Sequence, residues 1–265
     1  MTTRDALAEA EQRLAAAGVE TPRVDAELLV AHVLGTTRTA VRSAPSETVD
    51  AEQVDRLLRR REAREPLAYV LGEWGFRRLT LSVDARALVP RPETEVLVER
   101  ALALIADADR PSVLDVGTGC GAIALAIKDE RPDARVTGVD TSRHALELAR
   151  ENVERLHLDV ALERRDFDAS ADGWDVVVAN PPYVHPDDWS ALQPEIRLWE
   201  PREALVGVGN HEAIAAAAAT RAIAFEVGDG QAALVADVLV GLGYDAVRIT
   251  RDLAGRERVV EGRRA

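Results

Sequence analysis

The chain has 265 residues, enough for one large domain or for a small and a medium one, with 47% hydrophobic and 30% charged residues as in soluble globular proteins. No apolar run reaches the roughly 18–20 residues that span a bilayer. Of the net charge of −13, residues 1–89 carry little (13 Arg against 14 Asp/Glu) and residues 90–265 nearly all (20 Lys/Arg against 32 Asp/Glu), which argues against a phosphate backbone as partner.

The start, "MTTRDALAEAEQRLAAAG", is polar and amphipathic and lacks the apolar core of a signal peptide, so a cytoplasmic protein is expected. The single cysteine, Cys120, excludes an internal disulfide and a multi-cysteine zinc site. The first ~70 residues predict helices only. One carries Leu7, Ala10 and Leu14 on a face, with Thr2 or Thr3 as cap and Gly18 as stop. A second is capped by Thr21, has Pro22 at its first position, presents Val24, Leu28 and Ala31, and ends at Gly35. A third runs through Val54, Leu57 and Leu58, and "PLAYVLG" gives a short fourth. Such a bundle is either a folding aid or a partner-docking module. Leu79, Leu81 and Val83 then alternate with period 2, predicting a strand in a hairpin linker, and Pro90 and Pro92 open the helix "ETEVLVERALALIAD".

From Ser112 strands and helices alternate: "SVLDVG", "GAIALAIKDE", "RVTGVD", "SRHALELARENVERL", "VALERRDF" and "WDVVVAN". This predicts an α/β fold with a doubly wound, mostly parallel sheet. "RAIAFEVG" adds a strand, "QAALVADVLVGLG" a helix, and "YDAVRITRDLAGRERVVEG" a C-terminal antiparallel hairpin. The division expected is 1–72 for the bundle, 73–92 for the linker and 93–265 for a catalytic part.

"LDVGTGCGAIALA" sets Gly117, Gly119 and Gly121 between a strand and a helix, where backbone N–H groups can approach a ligand. Asp140 ends the next strand, placed to accept both hydroxyls of a ribose. Gly117-x-Gly119-x-x-Ala122 also satisfies a relaxed dinucleotide fingerprint. Two features favour S-adenosylmethionine: Asp115 could meet the methionine ammonium, and Asp166 and Phe167 could take the adenine, although Phe167 has an ordinary core reading too. Cys120 has no basic neighbour in the loop and is not read as a nucleophile.

"VVVANPPYVHP" ends a buried strand at Asn180. Pro181 holds Asn180 extended and leaves carbonyls free, and Tyr183 offers a π face to a developing cation. With Pro182, this set suits methyl transfer to a planar nitrogen, whose N–H groups two acceptors can hold without a strong base. The plain alternative is a proline-terminated strand. His185 is expected at the surface. "NHEAIAAA" lacks a second histidine, since position 215 is Ala, so no metal is expected at His211.

"NPPY" with "DVGTGCG" resembles the class I S-adenosylmethionine-dependent amino-methyltransferases acting on adenine N6, guanine N2 or glutamine N5. "TPRVDAELLVAHVLG", "REPLAYVLGEWGF", "LVPRPETEVLVERAL", "EVGDGQ" and "RDLAGRERVVEGR" are similar to the release factor glutamine methyltransferase (PrmC/HemK) family, over Thr21 to Arg263. The resemblance implies that Gly117, Thr118, Gly119, Cys120, Gly121 and Asp140 bind S-adenosylmethionine, with Phe167 at the adenine. It implies that Asn180, Pro181, Pro182 and Tyr183 hold a glutamine from the Gly-Gly-Gln tip of a peptide-chain release factor, with Arg91 and Glu93 of "RPETE" nearby. It further implies that the bundle docks that protein; charge and hydropathy lead us to expect no nucleic acid and no membrane as partner, and a monomer is expected. A ribosomal-protein glutamine, a DNA adenine and a non-catalytic cofactor-binding subunit stay open as alternatives. Residues 207–225 are shorter than the family's and lack its Pro-Gly-Gly turn, which leaves the sheet edge after the fourth strand least specified.

Overall fold

The computed structural model describes residues 1–264. They form two compact units, Met1–Glu73 with Leu192–Trp199, and Trp74–Ala191 with the described residues from Glu200 onward.

The first unit opens with α1 (Thr3–Ala16), whose N-cap Thr2 accepts from the Asp5 amide at 3.2 Å. It continues with α2 (Pro22–Leu34), α3 (Arg38–Ser43), α4 (Ala51–Glu62) and α5 (Leu67–Leu71). Leu7, Leu14, Leu29, Val30, Val54 and Leu58 make its core. The third of these helices, α3, was not anticipated: it buries only Val41, too little for a periodic signal. The face expected of α2 is also corrected. Val24 and Leu28 are half-buried, and the buried set is Asp25, Ala26, Glu27, Leu29, Val30 and Ala31. The carboxylates turn inward because arginines meet them there. Arg61 reaches Asp25 at 2.7 Å, and Arg23 and Arg38 reach Glu27 at 2.7 and 2.5 Å. Thr21, the expected cap, spends its hydroxyl on Asp25 and makes no backbone cap bond.

Leu192–Trp199, with the short helix Pro194–Trp199, belongs to this unit, whereas the expected division put it with the catalytic part. Glu195 pairs with Arg61 at 2.9 Å and Arg64 at 2.6 Å, and the Trp199 indole donates to the Ala63 carbonyl at 3.3 Å. Those partners lie more than a hundred positions away, beyond any local pattern.

β1 (Glu73–Phe76), which begins at the last residue of the first segment, and β2 (Leu79–Ser82) form the expected hairpin, and α6 (Thr94–Leu104) follows in the second unit. Then come β3 (Ser112–Val116), α7 (Ala122–Glu130), β4 (Arg135–Val139), α8 (Arg143–Leu156), β5 (Val160–Glu163) and β6 (Trp174–Ala179). After the already described Pro194–Trp199 helix (α9), the chain forms α10 (Asn210–Ala217), β7 (Thr220–Glu226), α11 (Ala232–Gly241), β8 (Asp245–Arg251) and β9 (Glu257–Arg263). The sheet order is β5-β4-β3-β6-β7-β9-β8, parallel through β7, with β9 antiparallel to both neighbours. Val176 to Ala179 are wholly buried, as a central parallel strand covered on both faces requires.

Two expectations change. The third strand of the sheet, β5, ends at Glu163, where its partner β4 also ends, and Phe167–Asp172 forms a 3₁₀ turn. The shortened segment does not disturb the sheet: β7 pairs with β6 from Trp174↔Thr220 to Ala179↔Phe225. Register places Val116 beside both Val139 and Ala179, so the loops after β3, β4 and β6 leave the sheet side by side. No helix among the described residues is long and apolar enough to cross a membrane.

Candidate active site

A cavity of about 390 Å³ lies at these carboxyl ends, within the size range of small-molecule sites. The glycine loop forms one wall. The amides of Gly117 and Thr118 both donate to the Val139 carbonyl at 2.9 Å, which folds the loop over β4. Gly117, Gly119 and Gly121 all have positive φ, so β-carbons would strain the loop. Gly121 does not border the cavity; a β-carbon there would stand 3.0 Å from Leu125 Cδ1, so it serves helix packing.

Asp140 borders the cavity. One carboxylate oxygen accepts from the Gly119 amide at 2.9 Å and the other from Ser142 at 2.8 Å, and burial raises its pKa against those two bonds. Asp166 and Phe167 border the cavity as well, and Phe167 also packs on the core. Asp166 already accepts from the Phe167 amide at 2.7 Å.

Asp115 is placed differently from the expectation. It is fully buried beneath the loop and does not line the cavity. One oxygen accepts from the Thr118 hydroxyl at 2.6 Å and the Ala124 amide at 3.2 Å; the other has no described partner. Burial pushes its carboxyl up to about 7. It closes the loop from below rather than facing a ligand. Cys120 does line the cavity, and burial pushes its thiol up to about 12, which makes it a poor nucleophile.

Asn180 and Pro182 also line the cavity. Pro181 is buried and Tyr183 half-buried, and neither borders the cavity. Asn210 Nδ2 donates to the Pro182 carbonyl at 2.7 Å and Gln231 Nε2 to the Tyr183 carbonyl at 3.0 Å. No donor among the described residues reaches the Pro181 carbonyl or Asn180 Oδ1. Asn180 Nδ2 points the other way, to Thr94 Oγ1 at 3.4 Å. The Thr94 hydroxyl donates to Glu226 Oε2 at 2.5 Å, and the Tyr183 hydroxyl lies 3.5 Å from Glu226 Oε1. Glu226 is 1% exposed, and burial pushes its carboxyl up to about 7. Burial, with the Glu226 charge, pushes the Tyr183 phenol up to about 12.

Arg91 borders the cavity and pairs with buried Glu200 at 2.6 Å; Glu93 precedes α6 and does not border it. His185 is exposed beside Asp187. His211 donates from Nε2 to the Glu226 carbonyl at 2.8 Å and meets Phe225 edge-on, steadying the end of β7. Among the described residues no three His, Cys, Asp or Glu side chains are grouped to hold a metal.

Sequence reasoning reached Thr94 only as part of "RPETE" (Arg91 to Glu95), without a role, and missed Glu226 and Asn152. Asn152 is fully buried in α8 and donates to the Ser82 and Cys120 carbonyls, both at 3.0 Å, tying the hairpin to the glycine loop. Its signal was available: an amide on the apolar face of a strongly amphipathic helix needs partners.

Family models for the PrmC N-terminal domain and the methyltransferase small domain match residues 5–72 and 93–197. The release factor glutamine methyltransferase of Deinococcus radiodurans is 42% identical, the match covering 100% of this chain and 99% of that protein. The one of Caulobacter vibrioides is 37% identical, covering 99% and 96%. Among solved structures, the hMettl16 catalytic domain in complex with a MAT2A 3'UTR hairpin gives a TM-score of 0.56 at 14% identity, covering 69% of this chain and 74% of that one. T. thermophilus 16S rRNA N2 G1207 methyltransferase, in complex with AdoMet and guanosine, gives 0.53 at 18%, covering 73% and 50%. These structural likenesses speak for the fold, that of class I methyltransferases.

Proposed function

Since the chain belongs to the release factor glutamine methyltransferase family, we propose that it methylates the side-chain amide nitrogen (N5) of the glutamine in the Gly-Gly-Gln tip of a release factor, with S-adenosylmethionine as donor. The observation that carries this reading is the Asn180 side chain on the cavity wall, its NH₂ turned to Thr94 and its Oδ1 left without a protein donor.

The cavity suits the donor by its chemistry: a glycine loop that lets the backbone approach closely, a carboxylate fixed by the Gly119 and Ser142 amides, and an aromatic ring among the lining residues. Asp140 would take the ribose hydroxyls and Phe167 the adenine face. When bound, S-adenosylmethionine supplies an electrophilic methyl group on a sulfonium.

The protein's own part is to make a poor nucleophile attack. An amide nitrogen is conjugated, and its lone pair becomes available only as the C–N bond twists. Asn180 Oδ1 on the cavity wall accepts one of its N–H groups, and the Pro181 carbonyl, set behind that wall but without a protein donor, is the second acceptor once the substrate is seated. As the nitrogen–methyl bond forms and the sulfonium–methyl bond breaks, with S-adenosylhomocysteine as the leaving thioether, the nitrogen turns positive, its N–H groups become more acidic, and both acceptors bind it more tightly than before. The nitrogen then releases one proton to solvent. The helical unit is the docking module for the release factor. Its near-neutral charge and the strongly acidic remainder favour a protein over a nucleic acid as substrate.

Labelled S-adenosylmethionine offered with a release factor, a ribosomal protein or DNA, followed by mass-spectrometric mapping, tests the reading. Label on a release-factor glutamine is expected; label on DNA, or on no glutamine, overturns it. Asn180→Ala should abolish turnover while cofactor affinity, measured by calorimetry, stays within about threefold. An equal collapse of cofactor affinity would remove Asn180 from the role of substrate acceptor.

A further inference from the structure

We propose that Thr94 and Glu226 are positioning residues that fix which end of the Asn180 amide faces the substrate. The inference rests on the function proposed above and extends it to two residues outside the asparagine–proline loop.

An asparagine amide has an acceptor end and a donor end of nearly equal shape. If it flipped, Asn180 would present NH₂ to the NH₂ of the substrate, donor against donor, and the nitrogen would lose one of its two anchors. Within the loop nothing prevents this, since prolines 181 and 182 have no N–H to offer the carbonyl end.

The lock lies on α6 and β7. The Thr94 hydroxyl has one proton, and it is committed to Glu226 Oε2 at 2.5 Å. Only lone pairs remain for Asn180, so the group that faces Thr94 must be the NH₂, at 3.4 Å. The direction is therefore inherited: a carboxylate oxygen sets the hydroxyl, and the hydroxyl sets the amide. Glu226 is held in turn, with the Tyr183 hydroxyl at its other oxygen and His211 on its backbone carbonyl. Arg258, Arg91 and Glu93 are the other charged groups acting on it. Its carboxyl titrates near 7, but either form serves, because a proton on Oε1 still leaves Oε2 an acceptor.

That indifference separates positioning from proton abstraction. Glutamine at 226 can turn its carbonyl oxygen to Thr94 and its NH₂ to the Tyr183 oxygen, and so mimic the protonated acid. Leucine offers no acceptor, and the freed Thr94 proton can turn to Asn180 and favour the flipped amide.

The test compares E226Q, E226L, T94S and T94V with the wild type, using release-factor methylation and calorimetric cofactor binding. E226Q and T94S should keep kcat within about threefold. E226L and T94V should lose about 10–100-fold in kcat, with cofactor affinity and the KM for release factor within about threefold. If E226Q is as inactive as E226L, Glu226 acts through its charge or as a base, and the proposal fails. It fails equally if E226L and T94V turn over like the wild type, or if their loss lies in cofactor binding. Should E226L not fold, the T94S and T94V pair decides by the same criteria. A wild-type enzyme that labels no glutamine would instead overturn the underlying function, so the two failures are distinguishable.

Discussion

Gly207 has a φ that any residue adopts, yet it has no room for a side chain. A β-carbon there would lie 2.2 Å from Asn210 Nδ2, 2.7 Å from the Pro182 carbonyl oxygen and 3.0 Å from Pro182 Cβ. Non-bonded carbon contacts favour about 3.5–4.0 Å. In Gly207→Ala the Asn210 side chain can swing away, but it gives up its 2.7 Å bond to the Pro182 carbonyl, at about 1 kcal/mol. The Pro182 carbonyl is backbone and cannot swing. Relieving its clash requires the loop to shift by several tenths of an ångström, an overpacking cost of about 1–3 kcal/mol. The total, about 2–4 kcal/mol, lowers Tm by roughly 5–15 °C for a unit of this size. The second consequence is kinetic. Residue 182 follows the two proposed acceptors directly, and a displacement near 1 Å at a reacting centre costs on the order of 100-fold in rate. Asn210→Ala is the control, since it removes the hydrogen bond without the clash. It should lose about 1 kcal/mol and keep most of its activity. Differential scanning calorimetry and release-factor methylation measure both effects. A Gly207→Ala protein that melts within about 2 °C of the wild type and retains half its kcat would refute the reasoning, because the close approach would then not fix the loop.

Two further outcomes follow from burial. Glu226 has its carboxyl raised from 4.5 to about 7, so between those values the folded chain holds a proton that the unfolded chain has lost. Its contribution is therefore fully present below about pH 4.5 and is lost as pH rises through about 7. Urea unfolding of E226Q and wild type across pH 4.5–8 should show the variant gaining by up to about 3 kcal/mol relative to the wild type; a gap that stays constant with pH would mean that Glu226 ionises normally. Cys120, 3% exposed with its thiol raised to about 12, should resist a thiol-specific disulfide reagent at pH 8 in the native protein and react fully in urea. Rapid native labelling would contradict the burial described.

The residues whose meaning was legible in the sequence are those whose partners are apolar or near in the chain. Val176 to Ala179 announce a buried strand by composition, and Gly117 to Gly121 announce a loop by needing positive φ. Asp140 follows from its place at the end of the next strand, and its two backbone bonds lie within the loops that the pattern brings together. Other residues depend on distant chemistry. Asp25 and Glu27 look like an outward face until the arginines that receive them are known, and the apolar face that carries Asn152 does not reveal that its partners are the Ser82 and Cys120 carbonyls.

The same physics explains why Asp115 lies beneath the loop and not on the cavity wall. Counting from the glycine loop puts a carboxylate near the ligand, but it does not say on which side of the loop the side chain leaves. Thr118 and the start of α7 draw it underneath, into a space where a carboxylate is costly and titrates near 7. Thr94 and Glu226 pose the converse case. Nothing in "PRPETE" or "AFEVG" marks them as a pair, because they are 132 positions apart and meet only after α6 packs beside β7. Apolar periodicity specifies which surfaces close, since any well-sized hydrophobe satisfies any other. A hydrogen bond specifies one atom and one direction, and that information exists only between the two partners. The loop motif therefore supplies an amide at the cavity wall, while the partner that its NH₂ end meets is supplied by residues the motif does not contain.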